Sequence, residues 1–178
     1  MGPAIAVIET SSIALGYKIL NDSLARAEVE IIEAASISPG KFLILLSGTQ
    51  GNLESILRWV DGEYIVDKVL IESVHEKVLP GLYGLLKTPI AEALLVLETS
   101  TLSQGLFAAN ECLKKANIEV IEIRSGRGIG GRCVSFLTGK ASDLKSVTKG
   151  LQKNIRHELI EKPHNKFLEY FNISGAKS

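Results

Sequence analysis

From Ala4 to Glu9 the chain is apolar up to its closing glutamate, and it turns polar at Thr10, Ser11 and Ser12. A short apolar run closed in this way predicts a buried strand. Ser12 is placed to N-cap a helix running to about Arg26, with Ile13, Tyr17, Leu20 and Leu24 along one face. Val29 to Ala35 reads as a second strand, Ser38-Pro39-Gly40 as a turn, and Lys41 to Leu46 as a third strand. Thr49 caps a helix from about Gly51 to Val60; a fourth strand follows from Tyr64 to Ile71, then a short helix around Glu76 to Leu85. The predicted order is βαββαβ plus a terminal helix, the ferredoxin-like plan.

The same pattern is then written again. Val7-Ile8-Glu9-Thr10-Ser11 matches Val96-Leu97-Glu98-Thr99-Ser100 at an offset of 89 residues, which also aligns Gly16 with Gly105 and Asn21 with Asn110. After a two-residue insertion Gly40-Lys41 meets Gly131-Arg132 and Gly48 meets Gly139; near the ends the first offset returns, pairing His75 with His164. A unit of this size is a small domain rather than a solenoid repeat. The second copy predicts strand 93–98, helix 102–115, strands 118–124 and 132–138, helix 141–153, strand 155–161 and a tail helix from about Pro163. The fold class is therefore α+β, two tandem ferredoxin-like domains spanning 1–88 and 89–178. Their join falls near Leu86-Lys87-Thr88-Pro89, where the helical pattern breaks.

Composition narrows the function classes. Hydrophobic residues make up 46% of the 178 and charged residues 22%, so a sizeable core is available. Lys+Arg and Asp+Glu balance at 20 each, which argues against a nucleic-acid footprint and leaves little net repulsion between copies. Cys112 and Cys133 lack C-x-x-C spacing and suit a reducing cytoplasm. The first residues, MGPAIAVIETSS, lack a basic segment and a long apolar run, so neither a signal peptide nor a membrane span is expected. The sequons at Asn21 and Asn172 read as chance matches.

Gly126, Gly128 and Gly131 satisfy G-x-G-x-x-G, the dinucleotide fingerprint. That motif needs a helix after the loop, and the run from Arg132 to Leu137 predicts a strand instead. The loop is then a hairpin whose counterpart in the first copy is Ser36-Ile37-Ser38-Pro39-Gly40, and two such loops at matching places could meet around a symmetry axis. His75 and His164 are expected to cap or pack a repeated helix, and His157, with no repeat partner, to lie on the surface. Glu9 and Glu98 could pass for a carboxylate pair, but equivalent positions of repeated domains sit apart, so structural roles are expected. Trp59 is expected to anchor the second helix. No nucleophile–base set is apparent, which places an enzyme reading third.

IAVIETSSIALGYKILNDSLARAEVEI, and more closely LVLETSTLSQGLFAANECLKKANIEV, resemble the bacterial microcompartment shell domain. The tandem arrangement resembles shell proteins that assemble as trimers and mimic single-domain hexamers. SISPGKFLILLSG, VHEKVLPGLYGL, GIGGRCVSFLTG and KPHNKFL, in uninterrupted order and without circular permutation, resemble the propanediol-utilisation shell trimers whose central pore carries an iron–sulfur cluster. The resemblance implies a homotrimeric, pseudohexameric tile in a cytoplasmic shell, with hexameric shell proteins as neighbours and enclosed enzymes as further partners. The pore would be lined by Ser36, Ile37, Ser38, Pro39 and Gly40 together with Ser125, Gly126, Arg127, Gly128, Ile129, Gly130 and Gly131.

Two departures from the family pattern matter. Cluster-bearing relatives place cysteine before Pro-Gly-Lys, where this chain has Ser38. A thiol with a pKa of about 8.5 becomes a thiolate readily. A serine hydroxyl is a hard oxygen donor, poorly matched to iron–sulfur chemistry, so no metal and no cofactor is expected. The family's tile-edge lysine is kept as Lys114, but the matching first-copy position is Ala25, with Arg26 beside it. The rival reading is a trimeric ferredoxin-like sensor or regulator that binds a small molecule.

Overall fold

The structure, a computed structural model, describes residues 3–126 and 128–175, with side chains in the final helix as far as Phe171. All seven residues of β1 (Ala4–Thr10) are buried, because this strand lies inside its sheet and both its faces are covered. Around it stand β2 (Val29–Ile37), β3 (Lys41–Gly48) and β4 (Ile65–Ile71), in the order β2-β3-β1-β4, every neighbouring pair antiparallel. Two helices connect them: α1 (Ile13–Arg26) and α2 (Gln50–Trp59). Both start as the sequence predicts. Leu15 N–H donates to Ser12 Oγ at 3.3 Å and Asn52 N–H to Thr49 Oγ1 at 3.3 Å. After α3 (Val78–Leu82) the plan repeats with β5 (Ala93–Thr99), α4 (Leu102–Lys115), β6 (Glu119–Arg124), β7 (Cys133–Gly139), α5 (Ala141–Thr148), β8 (Arg156–Ile160) and α6 (Asn165–Gly175), giving a second sheet β6-β7-β5-β8. Among the described residues no helix is long and apolar enough to cross a membrane.

Strand register confirms the internal repeat and its insertion. Ala4 pairs with Gly48 in the first sheet and Ala93 with Gly139 in the second, so the offset of 89 becomes 91 across the hairpin. Each repeat also presses a helix glycine onto the same β position. A Cβ at Gly16 would fall 2.4 Å from Phe42 Cδ1, and one at Gly105 would fall 2.3 Å from Cys133 Sγ. Only a glycine allows helix and sheet to approach so closely.

Three helices are shorter than the sequence pattern suggests. α3 spans five residues, 78–82, rather than 76–85, and the chain leaves it through Gly84 at φ 64°. α5 stops at Thr148 because the next turns tighten to i→i+3 bonds, Gly150 N–H to Val147 O and Leu151 N–H to Thr148 O. α6 begins at Asn165, with the His164 carbonyl accepting from Phe167 and Leu168, so Pro163 stands before the cap.

Each sheet has a helical face, covered by its own helices, and a second face. In the first domain Ala4, Ala6, Ile8, Phe42, Ile44 and Leu46 form a core with Ile19, Leu53 and Ile56. The second face, with Ile5, Val7, Leu43, Leu45 and Ile71, joins a larger cluster that includes Leu102, Leu106, Leu113 and Val120 of the second domain. One core therefore runs through the junction between domains, and α4 is packed on both sides.

Candidate functional site

The two hairpins lie against each other. Gly128 N–H donates to Ser38 Oγ at 3.4 Å, and a Cβ at Gly131 would sit 2.6 Å from the Ser38 carbonyl oxygen. Gly40, Gly128, Gly130 and Gly131 hold φ of 93°, 76°, 67° and 74°, a region that L side chains rarely adopt. Ser36, Pro39, Gly40, Gly128 and Gly130 are exposed; Ser38, Ser125 and Ile129 are half-buried; Ile37, Gly126 and Gly131 are buried. Arg127 lies outside the described residues. Behind each hairpin stands an ion pair at equivalent positions, Lys41 Nζ 3.6 Å from Glu9 Oε2 and Arg132 with Glu98. The glycine run leads into β7 rather than a helix, so the nucleotide motif lacks the helix N-terminus that would hold a phosphate.

The donors at this rim do not fit an iron–sulfur cluster. Among the described residues, the side chains at the contact are the Ser38 hydroxyl, bonded by the Gly128 amide, and the Lys41 ammonium beside Gly131, neither of them a soft donor. Both thiols are elsewhere. Cys133 is buried beneath Gly105, and burial pushes its thiol up to about 12; Cys112 is buried on α4, and burial raises it to about 11. Among the described residues no three His, Cys, Asp or Glu side chains are grouped to hold a metal ion.

The junction between domains carries a set of buried and half-buried polar contacts. Glu9, fully buried at the end of β1, accepts from both the backbone N–H (2.9 Å) and the hydroxyl (3.1 Å) of Ser103, in the first turn of α4. A carboxylate there satisfies an orphan amide and opposes the positive end of the helix. Asp67, paired with Glu9 across β1 and β4, accepts the Thr101 hydroxyl at 2.6 Å. Buried Asn110 accepts from His75 N–H at 2.8 Å, Lys77 pairs with Glu119 at 2.5 Å, and a Cβ at Gly81 would meet Val120 at 2.6 Å. These residues tie α3 and the second sheet face of domain one to α4 and β6 of domain two. Sequence reasoning gave Glu9 a structural role but missed that it acts across domains; Glu98 instead pairs with Arg132.

Desolvation raises the Glu9 carboxyl above its ordinary 4.5, against the lowering effect of the Ser103 N–H and the Lys41 charge. A raised folded-state pKa means the native state holds this proton more tightly than the unfolded chain. The resulting stability is fully present below pH 4.5 and is lost as pH rises through the raised value. Glu9→Gln keeps an acceptor for Ser103 and removes the ionisation. Urea midpoints taken from pH 4.5 upward are expected to fall more steeply for the wild type than for the variant. Parallel curves would show that Glu9 is not the titrating group.

The remaining expected residues separate clearly. His75 and His164 act alike, each ring Nδ1 accepting the backbone N–H two residues on, at 3.3 and 3.2 Å. At His164 this caps α6, whereas His75 binds Lys77, the residue before α3, which has no side-chain cap. Lys114 is exposed at the end of α4. Arg26 lies over the Trp59 ring, 4.7 Å from its centroid, so Trp59 anchors α2 through the last residue of α1.

Fold and junction together define a tandem pair of ferredoxin-like domains fused through one core and carrying apposed glycine-rich hairpins. The chain belongs to the BMC domain family, the domain of bacterial microcompartment shell proteins, and the family model matches it twice, over residues 4–73 and 93–163. It is 28% identical over 176 residues to the bacterial microcompartment shell protein PduT of Citrobacter freundii, covering 92% of this chain and 95% of that protein. A crystal structure of a microcompartment protein from Desulfitobacterium hafniense DCB is 25% identical, with a TM-score of 0.76 over 95% of this chain and 99% of that one. The fused permuted hexameric shell protein of the RMM microcompartment shares the fold at 21% identity and a TM-score of 0.58, over 81% of this chain and 77% of that one.

Proposed function

We propose that this shell protein is a homotrimeric, pseudohexameric tile with a solute-conducting opening at its three-fold axis. The observation that carries the proposal is the unlike pair of surfaces at the domain junction, because each reappears uncovered elsewhere on the chain. On α4, Leu102, Leu106 and Leu113 are 0%, 0% and 5% exposed beneath domain one; their equivalents on α1, Ile13, Tyr17 and Leu24, are 37%, 59% and 42% exposed. The complementary face of the second sheet, around Val96, Val134 and Phe136, has α6 beside it through Phe171, and among the described residues no helix equivalent to α4 lies across it. Head-to-tail joining of chains repeats the internal junction, and a ring of six domains closes with three chains. The hairpins, apposed within one chain, then line the axis.

In this reading the protein works as a scaffold rather than a catalyst. The junction's buried groups are used in domain contacts, and Glu9 and Glu98 have separate partners. Its partners are copies of itself and other shell proteins, including hexamers, and its place is the cytoplasmic microcompartment shell. Lys114 lies at the tile edge, whereas Arg26 is engaged with Trp59. Light scattering is expected to give three times the 19.2-kDa chain mass, and concentrated protein to form sheets or tubes visible by electron microscopy. A monomer, or a trimer that never assembles further but shifts its melting temperature with a small ligand, would favour the sensor reading.

The rim around Ser38 is read as metal-free. Anaerobic treatment with iron and sulfide is expected to leave iron far below stoichiometry and no visible charge-transfer absorption, whereas Ser38→Cys supplies a thiolate donor and gains both. A cluster in the wild-type chain would overturn this part of the reading.

A further inference from the structure

A cavity of about 390 Å³ opens beside α4, where the first domain's β4 meets the turns after α5. Its cause lies in the repeat. At the offset of 91 that aligns Leu53 with Leu144 and Ile56 with Val147, Trp59 aligns with Gly150. In domain one the Trp59 ring fills this place under the Arg26 guanidinium, 4.7 Å from the ring centroid. In domain two the ring is gone, while a cation remains. Lys115, the counterpart of Arg26, holds its Nζ 3.8 Å from where a Gly150 Cβ would be.

Two further differences alter the same place. Ile19 is replaced by Ala108, which removes volume, and Lys18 by Phe107, which supplies an aromatic wall. Val147, Leu151 and Ile155 complete the apolar lining. Among the charged groups, Lys68 is committed to the carbonyls of Leu57 and Val60, and Asp67 to Thr101. Half-buried Glu111 and exposed Lys115 form an ion pair at 3.5 Å, so the lining carries no unbalanced charge from them. The volume lies within the range of small-molecule sites.

We infer that this cavity is a binding site for a neutral, planar aromatic molecule of about indole size, seated against Phe107 beneath the Lys115 ammonium. The first domain supplies the precedent, since it fills the equivalent space with an indole and a cation of its own. Such a site uses ring burial and cation–π attraction, and binds one molecule per chain.

The test uses indole as the probe and saturation-transfer NMR on the full-length protein, with light scattering on the same sample so that assembly is read separately. Indole is expected to bind saturably with a dissociation constant on the order of 0.1–1 mM. Gly150→Trp, whose Cβ meets nothing closer than 3.7 Å, should fill the cavity with its own ring and weaken binding at least about tenfold. Phe107→Lys, restoring the first-copy residue, should also weaken it and does not depend on a bulky insertion. Absence of saturable binding in the wild type, or equal binding by both variants, overturns the assignment whatever the oligomeric state.

Discussion

Tyr17→Asp combined with Leu24→Asp is expected to leave 19.2-kDa monomers in place of the proposed trimer. Both residues lie on the exposed side of α1. Their equivalents on α4, Leu106 and Leu113, are buried against domain one, so the fold itself shows how such a face is covered. A ring of three chains buries Tyr17 and Leu24 three times, and each aspartate would have to be desolvated without a partner at its seam. Each seam is expected to weaken at least about 100-fold. Within the chain the two side chains are 59% and 42% exposed, so secondary structure should survive. Tyr17 does lose a ring contact with Phe42, at 4.6 Å between centroids, which makes Leu24→Asp alone the cleaner control for folding. A double variant that keeps three times the chain mass by light scattering would mean that α1 does not lie at a subunit boundary.

Gly105→Val is expected to have the largest effect on the fold. Even the first carbon of the new side chain would stand 2.3 Å from Cys133 Sγ, 2.6 Å from Cys133 Cβ and 3.0 Å from Thr99 Oγ1. Cys133 is the first residue of β7 and pairs with Thr99, the last of β5, between the two central strands of the sheet, so it cannot move aside without shifting the strand's start. α4 would have to lift, and it is held on its other side by Glu9 through Ser103. The cost therefore reaches both domains. Urea denaturation is expected to show a loss of at least about 3 kcal/mol. Cys133→Gly in the same chain removes the two nearest atoms, so a double-mutant cycle should recover on the order of 1 kcal/mol as coupling. Purely additive effects would place the strain elsewhere.

Much of this architecture was legible because the chain states it twice. Period-two and helical patterns, read once, gave approximate elements; read at offsets of 89 and 91 they confirmed one another, and the caps at Ser12 and Thr49 fell where expected. Helix ends were less legible. The stop of α5 at Thr148 depends on tightened i→i+3 turns, which leave little trace in an apolar pattern. The apposition of Ser38 with Gly128 and Gly131 agrees with the symmetric placement of the hairpins. The junction was not legible from spacing. Glu9 meets Ser103 from 94 positions away, and a carboxylate ending a strand looks the same in both copies. What distinguishes the copies is where they differ: Asp67 against Arg156, Gly81 against Tyr170, Trp59 against Gly150. Such mismatches mark places where one domain faces its own chain and the other faces something else.

In the proposed tile, the fusion of two unequal hairpins also sets how the centre can vary. When six identical domains surround an axis, any substitution there is made six times, and crowding limits what survives. With three chains of two domains, a change at Ser38 recurs three times and leaves the glycine run at 128–131 untouched. The proposed axis would thereby hold two independent sets of positions. One set can keep the backbone close and side-chain-free, while the other exchanges a hydroxyl for a different tripod of donors by a single codon's change.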